Sequence, residues 1–251
     1  MKFLIPLIIV FAFSYSLFPQ SLIIYKSGGL KDTIDVAVTD SILVAPFQCG
    51  VNKLRYADKI YNTIQIGTQC WLKENLDIGT RINLNQDQTN NSIIEKYCYN
   101  DDPSNCAIYG GMYQWAEAVK YQNGTTNSSS PDPVFSGNIQ GICPGGWHIP
   151  TVTEFVTLIG AVGSSGNALK QEDQGTGIGA GTNTSGFSGL LAGSRGPDGV
   201  CANASKYAPF WSSTDYYGIY GTSMSLSFND NSILFYQHDK INGFGVRCIK
   251  D

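Results

Sequence analysis

The side chains of this 251-residue chain that could do chemistry are seven cysteines, two histidines, a pair of acidic residues in a turn, and a late run of aromatics and amides. Thiols can serve catalysis, metal binding or stapling, and their spacing decides among these. The cysteines are Cys49, Cys70, Cys98, Cys106, Cys143, Cys201 and Cys248; none forms a C-x-x-C pair, and neither His148 nor His238 stands at zinc-ligand spacing from two of them. A histidine base needs a nucleophile, and no serine lies in a G-x-S-x-G setting. His148, in Gly-Trp-His-Ile-Pro, is therefore expected to bond backbone near a helix start, and His238, in Tyr-Gln-His-Asp-Lys, to be a turn or surface residue. No catalytic residue is assigned, and the chain is read as non-enzymatic.

Asp101 and Asp102, flanked by Asn100 and Asn105, offer the oxygen ligands that calcium takes. The stretch lacks the D-x-[DN]-x-[DN]-G order, and turn formation explains the same residues. Phe228-Asn229-Asp230 is similar to the Trp-Asn-Asp calcium motif of sugar-binding C-type lectins, but the companion Glu-Pro-Asn tripeptide is missing. No metal and no cofactor is expected.

Binding has a stronger compositional signal. Tyr216, Tyr217, Tyr220, Phe228, Phe235 and Tyr236 lie among Asn229, Asp230, Asn231, Gln237 and His238. Rings supply contact area at low entropic cost and amides supply adaptable hydrogen bonds, a pairing suited to recognising glycans or proteins. Tyr216, Tyr217, Tyr220, Asn229, Asp230, Asn231, Gln237 and His238 are the expected ligand-facing residues; the alternative is that the rings fill a core and the protein is a durable spacer.

These residues must be positioned by elements the pattern foretells. Tyr61–Ile66 alternates, Gly67-Thr68 turns, and Cys70-Trp71-Leu72 returns, which is a hairpin. Met112, Trp115, Ala116 and Val119 mark one helical face within 110–121. Thr151 and Glu154 form a capping box opening a second helix, with Phe155, Leu158 and Ile159 as its apolar face. Residues 172–186 read as loop. Strand signals follow at Leu190-Leu191, Phe210-Trp211, Met224–Phe228, Ile233–Tyr236 and Phe244–Cys248, with Asn229–Asn231 turning a hairpin through left-handed residues. Two helices before a strand-rich second half predict an α+β fold with a mainly antiparallel sheet.

The N-terminus reads as an export signal over residues 1–20: Lys2, an apolar run Phe3–Phe13, then small and polar residues, with cleavage after Ser16 or Gln20. The run is shorter than the roughly 20 residues that span a bilayer, so no membrane insertion is expected after cleavage. No cysteine follows it to carry a lipid. Residues 21–45 form a small strand–turn–strand segment, and 46–251 one domain. A net charge of −4 gives no basic footprint for nucleic acid. The expected location is secreted, periplasmic or cell-surface.

Six blocks carry a family resemblance. Tyr61–Leu76, Tyr109–Trp115, Gly141–Thr151, Ser185–Leu190, Phe210–Thr214 and Asn242–Cys248 resemble, in order, the Fibrobacter-type major paralogous (FISUMP) domain over roughly 60–251. The resemblance implies a C-type-lectin-like fold, distantly similar to the sulfatase-modifying, formylglycine-generating domain, but no activity. That enzyme's chemistry needs a nearby cysteine pair, or copper held by one, and none maps here without dismantling staples. Within the last block Arg247 is expected to be structural, anchoring a loop carboxylate.

An exported chain uses cysteines as staples. Six of them allow 15 connectivities; the expected one joins Cys98 to Cys106 across a short turn, Cys143 to Cys248 across the domain, and Cys49 to Cys70 at the entry hairpin. Cys201 is left free or intermolecular.

Overall fold

A computed structural model describes residues 46–251 and, before them, the backbone of two strands. The chain divides into two compact units, Met1–Pro46 and Phe47–Asp251. In the first, β1 (Ser21–Tyr25) pairs antiparallel with β2 (Lys31–Asp35), Leu22 opposite Ile34. The expected export signal and the remainder of the 21–45 segment lie outside the described residues.

The second unit opens with two hairpins, β3 (Leu54–Tyr56) with β4 (Lys59–Tyr61) and β5 (Thr63–Ile66) with β6 (Gln69–Leu72). Gly67 turns the second at φ 57°, and a Cβ there would come within 2.9 Å of Ala161 Cβ, so glycine is required on both counts. β7 (Thr80–Arg81) and β8 (Glu95–Lys96) form a short parallel pair. Helices α1 (Pro103–Tyr109) and α2 (Trp115–Ala118) precede β9 (Trp147–His148), α3 (Val152–Ala161) and α4 (Gly166–Leu169). Then come β10 (Ser194–Arg195) paired with β11 (Cys201–Ala202), the long strands β12 (Tyr207–Tyr216), β13 (Tyr220–Ser227) and β14 (Ile233–Asp239), and β15 (Ile249–Lys250). The fold is α+β, with one sheet ordered β5-β6-β15-β9 and another β12-β13-β14.

The three-stranded sheet is covered on both faces along β12 and β13, while β14 is largely exposed. Along β12, Ala208 and Phe210 enter a core with Trp71, Phe155 and Phe187, while Trp211 enters a second core with Trp115, Trp147 and Phe244. That two-sided burial is why β12 and β13 read as continuous buried runs rather than as an alternation. Each fully buried ring contributes about 2–3 kcal/mol of transfer free energy. On β13, Met224 and Leu226 supply the apolar face and Ser223, Ser225 and Ser227 the opposite one.

Three disulfides close the domain: Cys49–Cys70, Cys98–Cys106 and Cys143–Cys248, with Cys201 free. This is the pairing expected from spacing. The Thr151–Glu154 capping box is also present, with both reciprocal bonds made.

Several local expectations are corrected. The helical pattern over 110–121 yields only the single turn α2, because Met112 and Tyr113 bridge instead to Tyr97 and Phe244, and Lys120 and Tyr121 take positive φ. Conversely, α1 occupies the Cys98–Cys106 turn region: Asp102 accepts from Ser104 N as N-cap and Pro103 takes the first helical position. Leu190-Leu191 forms no strand, and Phe244–Cys248 contributes isolated bridges before β15 begins at Ile249. The Asn229–Asn231 turn forms without any of the three adopting positive φ.

Candidate functional site

The β12–β13 turn displays the predicted tyrosines. Tyr216 and Tyr220 face each other at the strand ends, and Tyr217-Gly218-Ile219 crosses between them. Tyr217 is 83% exposed and Tyr216 43% exposed, their rings 4.5 Å apart and edge to face. Ile219 adds a further exposed apolar side chain, and Tyr220 is half-buried. Tyr217 holds φ 49°, a left-handed backbone that costs a non-glycine residue about 1–2 kcal/mol, so the surroundings must hold it there.

They do so through a buried cation. Lys240, fully buried just after β14, pairs with Asp215, donates to Ser129 O at 2.8 Å, and lies 4.2 Å over the Trp115 ring. Its backbone N–H reaches Ile219 O at 3.0 Å. Asp215 Oδ2 accepts from Ser130 Oγ at 2.9 Å and from Gly218 N at 3.4 Å. Burial, opposed by Asp215, lowers the Lys240 pKa. The exposed rings thus stand on a turn tied to two loops and the core, a preorganised platform.

Not all the predicted residues gather there. Asn229, Asp230 and Asn231 lie at the other end of the eight-residue β13, roughly 25 Å away at about 3.3 Å per residue. Their polar groups are engaged locally. Asn231 Oδ1 accepts from Asn167 N and Ser165 Oγ at 2.8 and 2.9 Å, docking the start of α4. Asn229 Oδ1 accepts from Ser227 Oγ, and Asp230 Oδ1 from Ser232 N. The carbonyls of Gly179, Ser227 and Asp230 together hold the buried ammonium of Lys170. Gln237 is exposed on β14, opposite Thr222. His238 is corrected from a turn or surface residue to a half-buried strand residue, its ring 4.8 Å from Phe244 and 6.4 Å from Trp211; burial lowers its pKa.

His148 also departs from expectation. Its ring bonds two carboxylates instead of backbone, with Nδ1 2.6 Å from Asp251 Oδ1 and Nε2 2.7 Å from Glu154 Oε1. Burial lowers its pKa, but the two carboxylates outweigh it and the net shift is upward. The arrangement ties the last residue to the capping box of α3. Arg247 is structural, but its partners are the Asn75 amide oxygen and the Phe187 carbonyl rather than a carboxylate.

Asp101 and Asp102 do not converge on a cation: Asp102 caps α1, while Asp101 accepts from Leu84 N and pairs with Arg81 at 3.7 Å. Among the described residues no group of three or more His, Cys, Asp or Glu side chains is arranged to hold a metal ion.

A second concavity, of about 330 Å³, was missed by the sequence reading. Lys59, Lys73, Glu74, Asp77 and Arg247 contribute to its lining together with the end of α1. Its components come from six separate stretches of chain, and no single motif marks them.

Neither a curated protein nor a solved structure matches the chain. The model of the Fibrobacter succinogenes major domain matches residues 64–250. That span is well over half of the sequence and holds the tyrosine turn and most of the cleft lining, though residues 59–62 precede it, and the chain belongs to this family.

Proposed function

We propose that the protein is an exported, non-enzymatic binding module that recognises an extracellular glycan through the β12–β13 turn. The observation that carries this reading is the exposed pair Tyr216 and Tyr217, mounted on Lys240 and Asp215. Exposed rings held in one orientation lose little entropy on binding and offer flat apolar faces to a sugar. Three disulfides and, among the described residues, no helix long and apolar enough to cross a membrane are compatible with an exported chain. The C-type-lectin-like reading of the fold rests on the family blocks, and an experimental structure with another topology would withdraw it.

The ligand-facing set is narrowed to Tyr216, Tyr217, Ile219 and, on the neighbouring strand end, Tyr220. A glycan array probed with the full chain, beside the Tyr216→Ala/Tyr217→Ala variant, tests it. Binding by the parent chain that falls at least tenfold in the variant is expected. Absence of any binding, or binding unchanged by the substitutions, would sink it in favour of an extracellular protein ligand or a ligand-free spacer.

A further inference from the structure

The second concavity has a charge balance unlike that of the whole chain. The protein carries a net charge of −4, yet three cations and two carboxylates line this cleft. Both carboxylates have partners, although those of Glu74 are neutral and leave its charge in place. Asp77 is paired with Lys59 and Lys96 together. Glu74 accepts from Asn62 N at 2.8 Å and from Asn62 Nδ2 at 2.6 Å.

One cation, Lys73, is left without a paired counter-ion, and Arg247 has only the charge of Glu74 across the cleft to offset its own. Arg247, 1% exposed, donates only to neutral oxygens. The Lys73 ammonium has no hydrogen-bond or ion-pair partner among the described residues. With three cations against two carboxylates, the lining keeps a net positive charge, and around the buried Arg247 little solvent screens it. At the rim, Ile60 and Ile108 are 63% and 59% exposed. A cationic interior below an apolar rim, in a space at the lower end of the small-ligand range, selects for a particular shape of guest.

We propose that this cleft binds a small organic acid: one carboxylate directed at Lys73 and the Arg247 side, and an apolar body against Ile60 and Ile108. A carboxylate is the complement of this cationic excess, and the apolar rim disfavours a fully hydroxylated acid. The site is separate from the tyrosine turn and shares no residue with it.

Calorimetric titration of the full chain with N-acetyl-leucine tests the proposal, with N-acetyl-leucinamide and galacturonate as the neutral and the hydroxylated controls. Millimolar or tighter binding of N-acetyl-leucine is expected, with the amide and galacturonate at least tenfold weaker. Lys73→Gln should weaken binding about tenfold and Lys73→Arg should retain it, since a charge-assisted hydrogen bond survives the second change only. Tyr217→Ala should leave it unchanged, which separates this site from the glycan reading. No binding, equal binding of acid and amide, galacturonate as tight as N-acetyl-leucine, or indifference to Lys73→Gln would each overturn the proposal. Lys73 has no structural partner, so its variants fold.

Discussion

The Arg247 guanidinium donates twice to one oxygen of Asn75, at 3.1 Å from Nε and 2.8 Å from Nη2, across 172 residues of chain. Asn75 in turn donates to Tyr109 O at 2.9 Å, so a single amide joins the last strand region to the end of α1. The guanidinium stacks 4.3 Å from the Phe187 ring centre, and burial lowers its pKa to about 9. Truncating Asn75 to Ala leaves the charge with one carbonyl acceptor, an unsatisfied buried group worth about 3 kcal/mol. Arg247→Lys keeps the charge but loses the planar fork, and should cost a similar amount. Urea denaturation midpoints measure both; a loss below about 0.5 kcal/mol in Asn75→Ala would mean the amide is dispensable.

His148 predicts a pH optimum for stability. Its folded pKa is raised above 6.5, with burial opposing and the bonds to Glu154 and Asp251 prevailing. Its contribution is present in full below 6.5 and is lost as pH rises through the folded value. Glu154 has the opposite sign: burial raises its pKa, the bonds from His148 and Thr151 outweigh that, and the net shift is below 4.5. Its contribution is present above 4.5 and lost as pH falls through the folded value. Both are whole between these limits. His148→Gln should cost about 3 kcal/mol at pH 6 and remove the alkaline slope. A variant that keeps that slope would assign it elsewhere.

Glu117 is a carboxyl that opposes the fold at neutral pH. It is 3% exposed, with Oε1 accepting from Glu95 N at 2.9 Å, while Oε2 and the Tyr121 hydroxyl are buried facing each other without a well-formed hydrogen bond. Burial is the largest influence and raises its pKa to about 7. A raised folded value means the stability it allows is full below 4.5 and is lost as pH rises through 7. Glu117→Gln should therefore stabilise by about 1–2 kcal/mol at pH 8, after allowance for solvent screening, and have little effect at pH 4. Equal effects at the two pH values would contradict the assignment.

Local features were legible in the sequence and distant ones were not. The capping box at Thr151 and Glu154 spans four residues, and the turn at Gly67 two, so both could be read from the residues themselves. The periodicity of Met112, Trp115, Ala116 and Val119 misled, because bridges to Tyr97 and Phe244 captured the first turn. Asp102-Pro103 carried a usable helix-start signal, which was masked by its resemblance to a turn. The exposed tyrosines were found by composition, but Asn229, Asp230 and Asn231, grouped with them, lie at the far end of β13, where Asn231 docks α4. Nothing in the order of residues showed that Lys240 would reach Ser129 and Trp115 to brace the tyrosine turn, or that Lys73 and Arg247 would share a cleft. Those depend on packing between segments more than 100 residues apart.

The disulfides should differ in what they contribute. Cys143 and Cys248 are 105 positions apart and Cys98 and Cys106 only 8, so the chain-entropy model gives about 4.7 kcal/mol for the first and about 2.5 for the second. Cys143 is fully buried and joins β9's approach to the last strand, whereas Cys98–Cys106 clasps α1 alone. Replacing Cys143 and Cys248 by Ala together should then lower the melting temperature several degrees further than replacing Cys98 and Cys106. Cys201 supplies an internal control. Its sulfur accepts from Asn100 N at 3.3 Å, and burial raises its pKa, so it should label slowly in the native protein and count as the one free thiol after unfolding. More than one thiol per unreduced chain would show that a staple is missing. A ranking in which the short loop matters more would place the stabilisation in α1 packing rather than in loop closure.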